Sequence, residues 1–230
     1  MLSCAAMADI SLFIKFFGLA FSALLPVVNP FGSALIFLGI VGDLPASDFR
    51  SLAWKIAVST IVFLVVIEVV GTVLLAFFGI SLGVVQVAGG LVLAAMGWSL
   101  LNEQQASPKS DATDVPSTKL SALSQQTFYP LTFPVTAGPG CIVVTLTLSA
   151  HASAKSVLPN LMGHLGILIA IVVQSALVYF CYAYAPKITE RVSPQTAHGI
   201  LRVIAFVLLC IGVQITWNGV ESLLKTVMKV

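Results

Sequence analysis

Long apolar segments alternate with short polar ones along the whole chain. Six of them reach the length of about 20 residues that a helix needs to cross a bilayer. They cover residues 10–41, 53–78, 82–101, 127–150, 157–185 and 199–219. The apolar residues are continuous and do not alternate with polar ones, so the pattern favours helices over the strands of a membrane barrel. It therefore predicts an all-α polytopic membrane protein with six transmembrane helices.

One polar stretch, residues 102–126, is much longer than the other connections. It contains Ser107-Pro108-Lys109-Ser110 and Pro116, a composition typical of a flexible loop. It separates three predicted helices in residues 1–101 from three in residues 127–230. The chain is therefore predicted to consist of two transmembrane repeats joined by a polar loop.

The two halves share residues at equivalent places. A shift of 108 residues places Gly32 on Gly140, and a shift of 116 residues places Asn102 on Asn218. Three crossings is an odd number, so two such copies must have opposite orientations in the membrane. This predicts the inverted-repeat arrangement of many transporters.

The composition supports a membrane protein and excludes other classes. Hydrophobic residues make up 58% of the 230 residues and charged residues 9%, whereas soluble domains carry about 25% charged residues. The formal net charge is +2 without a basic stripe, so no nucleic-acid partner is expected. The four cysteines show no metal-ligand spacing, so neither a metal nor a cofactor is predicted. The expected partners are the lipid bilayer and a small-molecule substrate.

The distribution of positive charge predicts that both termini are periplasmic. With the N-terminus outside, seven Lys and Arg residues fall on the inner side and four on the outer side. The inner group is Arg50, Lys55, Lys109, Lys119, Lys187, Arg191 and Arg202. This assignment assumes that the first and fourth segments cross the membrane completely.

The first and fourth segments each contain a cluster of proline and glycine. The clusters are Pro26-Val27-Val28-Asn29-Pro30-Phe31-Gly32-Ser33 and Phe133-Pro134-Val135-Thr136-Ala137-Gly138-Pro139-Gly140-Cys141. Proline removes a backbone donor and glycine adds backbone freedom, so each cluster is expected to break its helix. Paired interruptions at corresponding places are the best sequence indication of a transport site. The alternative is a pair of proline kinks that only improve packing.

A broken helix provides groups that can bind a solute. The new N-terminus attracts anions, and the freed carbonyls accept hydrogen bonds from an ammonium group or bind a cation. The second pieces are expected to start near Gly32 and Gly140. Asn29, Ser33 and Thr136 are expected to cap these ends or to donate hydrogen bonds.

Glu68 is the one carboxylate deep within an apolar segment. An acid at membrane depth costs a few kcal/mol if charged, so it is a functional candidate by default and could carry a proton. Gln174 falls at nearly the equivalent place in the second half. The alternative is a protonated or paired side chain that only packs.

Two amides in the last segment, Gln214 and Asn218, are four residues apart and so share a helix face. Such amides either join helices or contact the substrate. The three histidines lie near segment ends, and the chain has no phosphate-loop motif, so an enzyme is not expected.

The paired motifs resemble those of the MarC family of membrane proteins. The likeness is carried by Asn29-Pro30-Phe31-Gly32 and Thr136-Ala137-Gly138-Pro139-Gly140, and it covers nearly the whole chain. It implies a six-helix protein of the bacterial inner membrane with inverted repeats. Some members are regarded as transporters of small neutral amino acids such as glycine and alanine. The substrate-binding residues that the resemblance implies are Asn29, Pro30, Phe31, Gly32, Ala137, Gly138, Pro139 and Gly140.

We therefore expect a secondary transporter that moves a small zwitterion by alternating access. Protons coupled through Glu68 would drive it, with sodium as the alternative ion. A small-solute channel and a membrane scaffold or regulatory protein remain as alternatives. The pattern leaves the substrate, the direction of transport and association into a homo-oligomer open.

Overall fold

The computed structural model describes residues 2–42, 44–102, 127–153, 156–187 and 194–228. Regular structure in these ranges is helical throughout. The helices are α1 (Leu2–Val28), α2 (Pro30–Val41), α3 (Ala46–Phe77), α4 (Leu82–Asn102), α5 (Pro139–Ala152), α6 (Val157–Ala183) and α7 (Pro194–Val227). Between α4 and α5 lies an irregular, widely wound stretch, Thr127–Thr136, which we call the prolyl segment. Of the predicted connecting loop, Asn102 ends α4 and residues 103–126 lie outside the described residues.

The predicted all-α membrane fold is confirmed. Five helical stretches are long and apolar enough to cross a membrane, and the bent pair of prolyl segment and α5 makes a sixth. Two helices are longer than the predicted apolar segments: α3 begins at Ala46 rather than residue 53, and α7 covers Pro194–Val227 rather than residues 199–219. Hydropathy detects only the part of a helix that lies in lipid, whereas the helix continues into more polar turns.

Helix α6 is the central element of the bundle. It packs against α1, α2, α3 and α5, and its buried residues include Ile167, Ala170 and Ile171. The prolyl segment and α5 pack against α3 much as α1 and α2 pack against α6. The interrupted part of each half thus packs against the following long helix of the other half, as expected for two structurally equivalent halves.

The most extensive helix contact joins α4 and α7. Small residues line it at intervals of seven, with Gly83, Gly90 and Gly97 on α4 opposite Gly219, Gly212 and Ala205 on α7. A β-carbon added to Gly212 would lie 2.7 Å from the carbonyl oxygen of Gly90. The two backbones therefore approach closely, as in other membrane helix pairs with small residues at the contact.

Both predicted interruptions are present, but they differ in size. Between α1 and α2 only Asn29 leaves the helix, and residues Asp9–Val41 still form one candidate span. Between the prolyl segment and α5 the direction changes by 69°. The second pieces begin at Pro30 and Pro139, two residues before Gly32 and one before Gly140, which agrees with starts near those glycines. A proline fits the first position of a helix, where its missing N–H would have no partner.

Candidate functional site

The first interruption is built around Asn29. Its backbone is left-handed, with φ 44° and ψ 64°. The Asn29 Oδ1 accepts a hydrogen bond from the Gly32 backbone N–H at 3.0 Å, which confirms the predicted cap. The Ser33 hydroxyl does not cap the helix end, because its Oγ donates back to the Asn29 carbonyl oxygen at 2.9 Å. The side chain of Asn29 thus neutralises one free donor of α2, and the turn is tied together locally.

The second interruption has no such cap. Gly138 precedes α5 in an extended conformation and supplies no side-chain hydrogen bond to the helix end. Thr136, predicted to cap this end or to donate a hydrogen bond, donates its hydroxyl to the Leu131 carbonyl oxygen at 2.7 Å and does not cap α5. It does so because the prolyl segment is widely wound, which brings a carbonyl five residues back within its reach. The positive end of the α5 dipole is therefore left without a side-chain acceptor.

A buried tyrosine links the two interruptions. The Tyr182 hydroxyl lies 2.7 Å from Thr136 Oγ1, at the second interruption. Tyr182 is fully buried, and its ring stacks on Phe37 of α2 with centroids 4.5 Å apart. Tyr182 was not among the predicted site residues, since a tyrosine near the end of a span is ordinarily an interfacial anchor.

The interruptions also meet directly near the middle of α4. Gly140 packs so closely that a β-carbon there would overlap Leu93 and lie 2.9 Å from Val27 Cγ1. Leu93 is at the centre of α4, and Val27 is two residues before Asn29. Both interruptions therefore lie well inside the membrane-spanning part of the bundle. Gly32 is similarly constrained, because a β-carbon there would overlap the Asn29 side chain.

The ten residues predicted for the substrate site all face the protein interior. Each of them is buried or half-buried, and none is exposed on the outer surface. They are Asn29, Pro30, Phe31, Gly32, Ser33, Thr136, Ala137, Gly138, Pro139 and Gly140. The structure thus brings the two motifs together. Whether they bind a substrate stays a prediction.

Glu68 has a partner that the sequence analysis missed. Its Oε1 is in hydrogen-bonding contact with Nδ1 of His164 on α6, and the Glu68 side chain is almost completely buried. Ser149 of α5 donates its hydroxyl to the Glu68 carbonyl oxygen at 2.9 Å. His164 does lie near the start of its segment, as predicted, but its contact with Glu68 was not predicted. Only helix packing could reveal this pair, because its two members are 96 residues apart.

Gln174, predicted to be equivalent to Glu68, is on α6 ten residues after His164 and so lies away from the Glu68–His164 pair. It is fully buried, and neither its Nε2 nor its Oε1 has a hydrogen-bond partner. The Thr60 and Ser175 hydroxyls are also buried without a partner. Trp54 of α3 contacts Tyr179 of α6, and Glu68 of α3 contacts His164 of α6. Thr60 on α3 and Gln174 and Ser175 on α6 fall between these two contacts, so the unpaired polar atoms lie in the central part of the bundle.

The amides of the last segment do not line the interruptions. Gln214 Nε2 donates to Asn218 Oδ1 at 2.8 Å, and both side chains are exposed on the outer face of α7. The small-residue face of α7 turns toward α4 and the amide face turns away, so the role of these amides in a polar lining stays a prediction. Among the residues that the structure describes, no cluster of three His, Cys, Asp or Glu side chains could hold a metal ion.

The fold and the site define a polytopic integral membrane protein with two helix interruptions that meet inside the bilayer. The family model described as MarC family integral membrane protein matches residues 14–224, and the chain belongs to this family. Its relatives include the inner membrane protein MarC of Salmonella typhimurium, which is 28% identical over 214 residues, covering 92% of this chain and 97% of that protein. MarC of Escherichia coli is 27% identical over 228 residues, covering 92% of this chain and 97% of that protein.

The family also extends beyond the enterobacteria. A membrane protein of Pyrococcus horikoshii is 27% identical over 210 residues, covering 91% of this chain and 96% of that protein. No solved structure matches this chain. The chain is a multi-pass protein of the inner membrane, the location given in the names of its bacterial relatives.

Proposed function

We propose that this protein is a secondary transporter of small neutral amino acids, such as glycine and alanine, that works by alternating access. The proposal depends on one observation, the meeting of two helix interruptions at Tyr182 and at Gly140. Secondary transporters bind substrates where two discontinuous helices meet inside the membrane. The substrate class rests on the resemblance to the MarC family, some members of which are regarded as amino-acid transporters.

The groups at the interruptions suit a small zwitterion. The α5 N-terminus has no side-chain cap, so its free N–H groups and dipole favour a carboxylate. On the other side, Pro30 has no N–H to give the Pro26 carbonyl its helical hydrogen bond. That carbonyl and the Ser33 and Thr136 hydroxyls are acceptors for an ammonium group. A substrate without a large side chain is favoured, because backbone and small residues supply most of the site.

Binding requires the helices at the site to separate. Gly140 packs directly against Leu93 and Val27, which leaves no space for a solute between them. Opening α5 relative to α4 and α1 would expose the α5 N-terminus to one side of the membrane. Alternating access supplies this kind of movement, since one unit rocks against another around a fixed site.

Counterflow in proteoliposomes tests the proposal. We expect saturable uptake of labelled glycine and alanine, stimulated by the same unlabelled amino acid inside the vesicles. A channel would allow uptake without this stimulation, and a scaffold would give none. Either result with well-folded wild-type protein would contradict the transporter proposal.

Two threonine variants test the location of the site. Thr136→Val removes the hydroxyl that pairs with Tyr182, and we expect it to raise the half-saturating concentration of substrate. Thr226→Val is the matched control, because the Thr226 hydroxyl donates to the Ser222 carbonyl on the exposed end of α7. Equal kinetics for both variants would argue against a substrate site at the interruptions.

A further inference from the structure

The Glu68–His164 pair is buried in the membrane but is separate from the helix interruptions. On α6, His164 is 18 residues before Tyr182, which corresponds to about 27 Å along a helix. The Glu68 side chain is 2% accessible and the His164 side chain 22%. Two ionisable groups at this depth are costly to keep and are usually functional.

We propose that Glu68 and His164 form the site at which a proton is coupled to transport. This inference rests on the proposed transporter function, and it identifies the coupling ion as H⁺ rather than Na⁺. The pair binds one proton from water on one side of the membrane and releases it to water on the other side.

The charge of the pair changes with a single proton. With the carboxylate ionised and the imidazole neutral, Nδ1–H donates to Glu68 and the pair carries one negative charge. A proton that adds to Nε2 makes the imidazole cationic, and the pair becomes neutral overall. Burial of a net charge within the bundle is unfavourable, whereas a hydrogen-bonded neutral pair is tolerated. The buried arrangement therefore corresponds to the proton-loaded state.

His164 provides the access route for the proton. It lies in the second turn of α6, about 10 Å from the helix start at Val157, and its side chain is partly accessible. Glu68, by contrast, is enclosed by α3, α5 and α6. A proton therefore reaches the Glu68–His164 pair through Nε2 of the histidine. Only the Nε2–H bond forms or breaks.

Ser149 connects the pair to the substrate site. It donates to the Glu68 carbonyl oxygen and belongs to α5, the helix that begins at Pro139 beside the second interruption. Ser149 is ten residues after Pro139, which is about 15 Å along a continuous helix. Leu146 of the same helix packs tightly against Gly71 of α3. A change of charge at the Glu68–His164 pair thus acts beside the contact between α3 and α5, the helix whose N-terminus faces the substrate.

The other charged or histidine groups on the neighbouring helices have different surroundings. His151 of α5 is exposed, and its Nδ1 contacts the Thr147 carbonyl oxygen of its own helix. Asp9 and Lys15 are on α1, which packs against α6. The remaining charges of these elements lie toward the opposite ends of α3 and α6, at Asp48, Arg50, Lys55 and Lys187, and Lys155 lies outside the described residues.

Proteoliposomes with an imposed pH gradient test the coupling. We expect wild-type protein to accumulate glycine or alanine when the external pH is lower, and a protonophore to abolish this accumulation. Glu68→Gln should lose the gradient-driven accumulation but keep counterflow exchange. His164→Gln should have the same effect, whereas His151→Gln, a matched exposed histidine, should behave as wild type. Gradient-driven accumulation by a well-folded Glu68→Gln protein equal to that of wild type would overturn the proposal.

Difference infrared spectroscopy on purified protein provides a readout that needs no substrate. Lowering the pH should change a carboxyl or imidazole band that is absent from the Glu68→Gln and His164→Gln spectra and present in that of His151→Gln. If the wild-type spectrum contains no such band, the pair does not exchange protons and the proposal fails. A band without transport of either amino acid would support the proton site and contradict the proposed substrate class, so the two failures are distinguishable.

Discussion

At the scale of single residues, Asn29 sets the conformation of the first interruption. It is the only residue other than glycine with a positive φ among those that the structure describes. Asparagine tolerates the left-handed region better than other residues with a β-carbon, and its amide can also cap a helix. The motif Asn29-Pro30 thus combines a left-handed turn, a cap and a helix start in two residues.

Replacement of Asn29 separates its role as a helix cap from its role in the left-handed turn. Asn29→Ala loses the cap and places alanine in a left-handed conformation, for a cost of about 2 kcal/mol in total. Asn29→Gly loses the cap but keeps the backbone conformation free of strain, so it should cost less. Thermal unfolding in detergent should rank wild type above Asn29→Gly and Asn29→Ala lowest. Equal melting temperatures for the two variants would show that the left-handed backbone does not matter.

The unpaired amide of Gln174 gives a second prediction at this scale. A buried polar group without a partner costs about 1–3 kcal/mol, so Gln174→Met, which keeps a similar shape, should raise the melting temperature. Gln86 is the matched control, because its Nε2 donates to Thr147 Oγ1 at 3.5 Å. Gln86→Met should therefore not stabilise the protein. A lower melting temperature for Gln174→Met would indicate that the amide has a partner, such as an internal water.

At the scale of helices, two elements depend on backbone contact at glycine. The α4–α7 pair is one, and the packing of α5 against α4 at Gly140 is the other. In both places the residue size determines how closely two helices approach. Because Gly140 is needed for packing, its replacement by a large residue disturbs the bundle itself and is not a selective test of substrate binding.

The α4–α7 contact should be sensitive to a single methyl group. In Gly212→Ala the added carbon would lie 2.7 Å from the Gly90 carbonyl oxygen and 2.8 Å from Ala94 Cα, so the helices must separate. Overpacking of this kind typically costs about 1–3 kcal/mol. Gly18→Ala is the control, because nothing lies within 4 Å of a β-carbon at Gly18. If both variants melt at the temperature of wild type, the close approach of α4 and α7 is incorrect.

A double variant tests the contact between Gly140 and Leu93. Gly140→Ala should lower the melting temperature, because the new β-carbon overlaps the Leu93 side chain. In combination with Leu93→Ala, which removes that side chain, the loss of stability should be smaller than the sum of the losses in the two single variants. The two changes should therefore be non-additive, as expected for residues in direct contact. If the losses of stability in the two single variants add up to the loss in the double variant, Gly140 and Leu93 are not in direct contact.

At the scale of the whole molecule, the two halves form one bundle around α6 and not two separate domains. Helices α1 and α2 of the first half pack against α6 of the second, and α5 packs against α3. A movement at one interruption is therefore transmitted to the other half. The Phe37–Tyr182 ring stack and the Glu68–His164 pair each join residues of different halves.

The orientation in the membrane is a prediction for the whole chain. The excess of Lys and Arg on the loops assigned to the inner side favours periplasmic termini. A periplasmically active phosphatase fused after Val230 should therefore be active, and a cytoplasmic fluorescent reporter at the same place should be dark. The same reporters in the 103–126 loop should give the reverse pattern. Activity of the phosphatase in that loop, but not at the C-terminus, would reverse the assignment.

The sequence by itself determined the helical membrane fold, the approximate spans and the places where two helices are interrupted. These features depend on local properties, namely continuous apolarity and the restrictions of proline and glycine. It also identified Glu68 as unusual, because a carboxylate stands out among apolar neighbours regardless of its partner.

Only the tertiary structure decided which of these residues meet. His164 pairs with Glu68 across 96 residues, and Tyr182 reaches Thr136 across 46. Likewise, the rotation of α7 turned Gln214 and Asn218 outward. The physical reason is that a partner depends on how helices rotate and pack against one another. That packing is set by small residues and side-chain shapes in several helices at once, which no local pattern records.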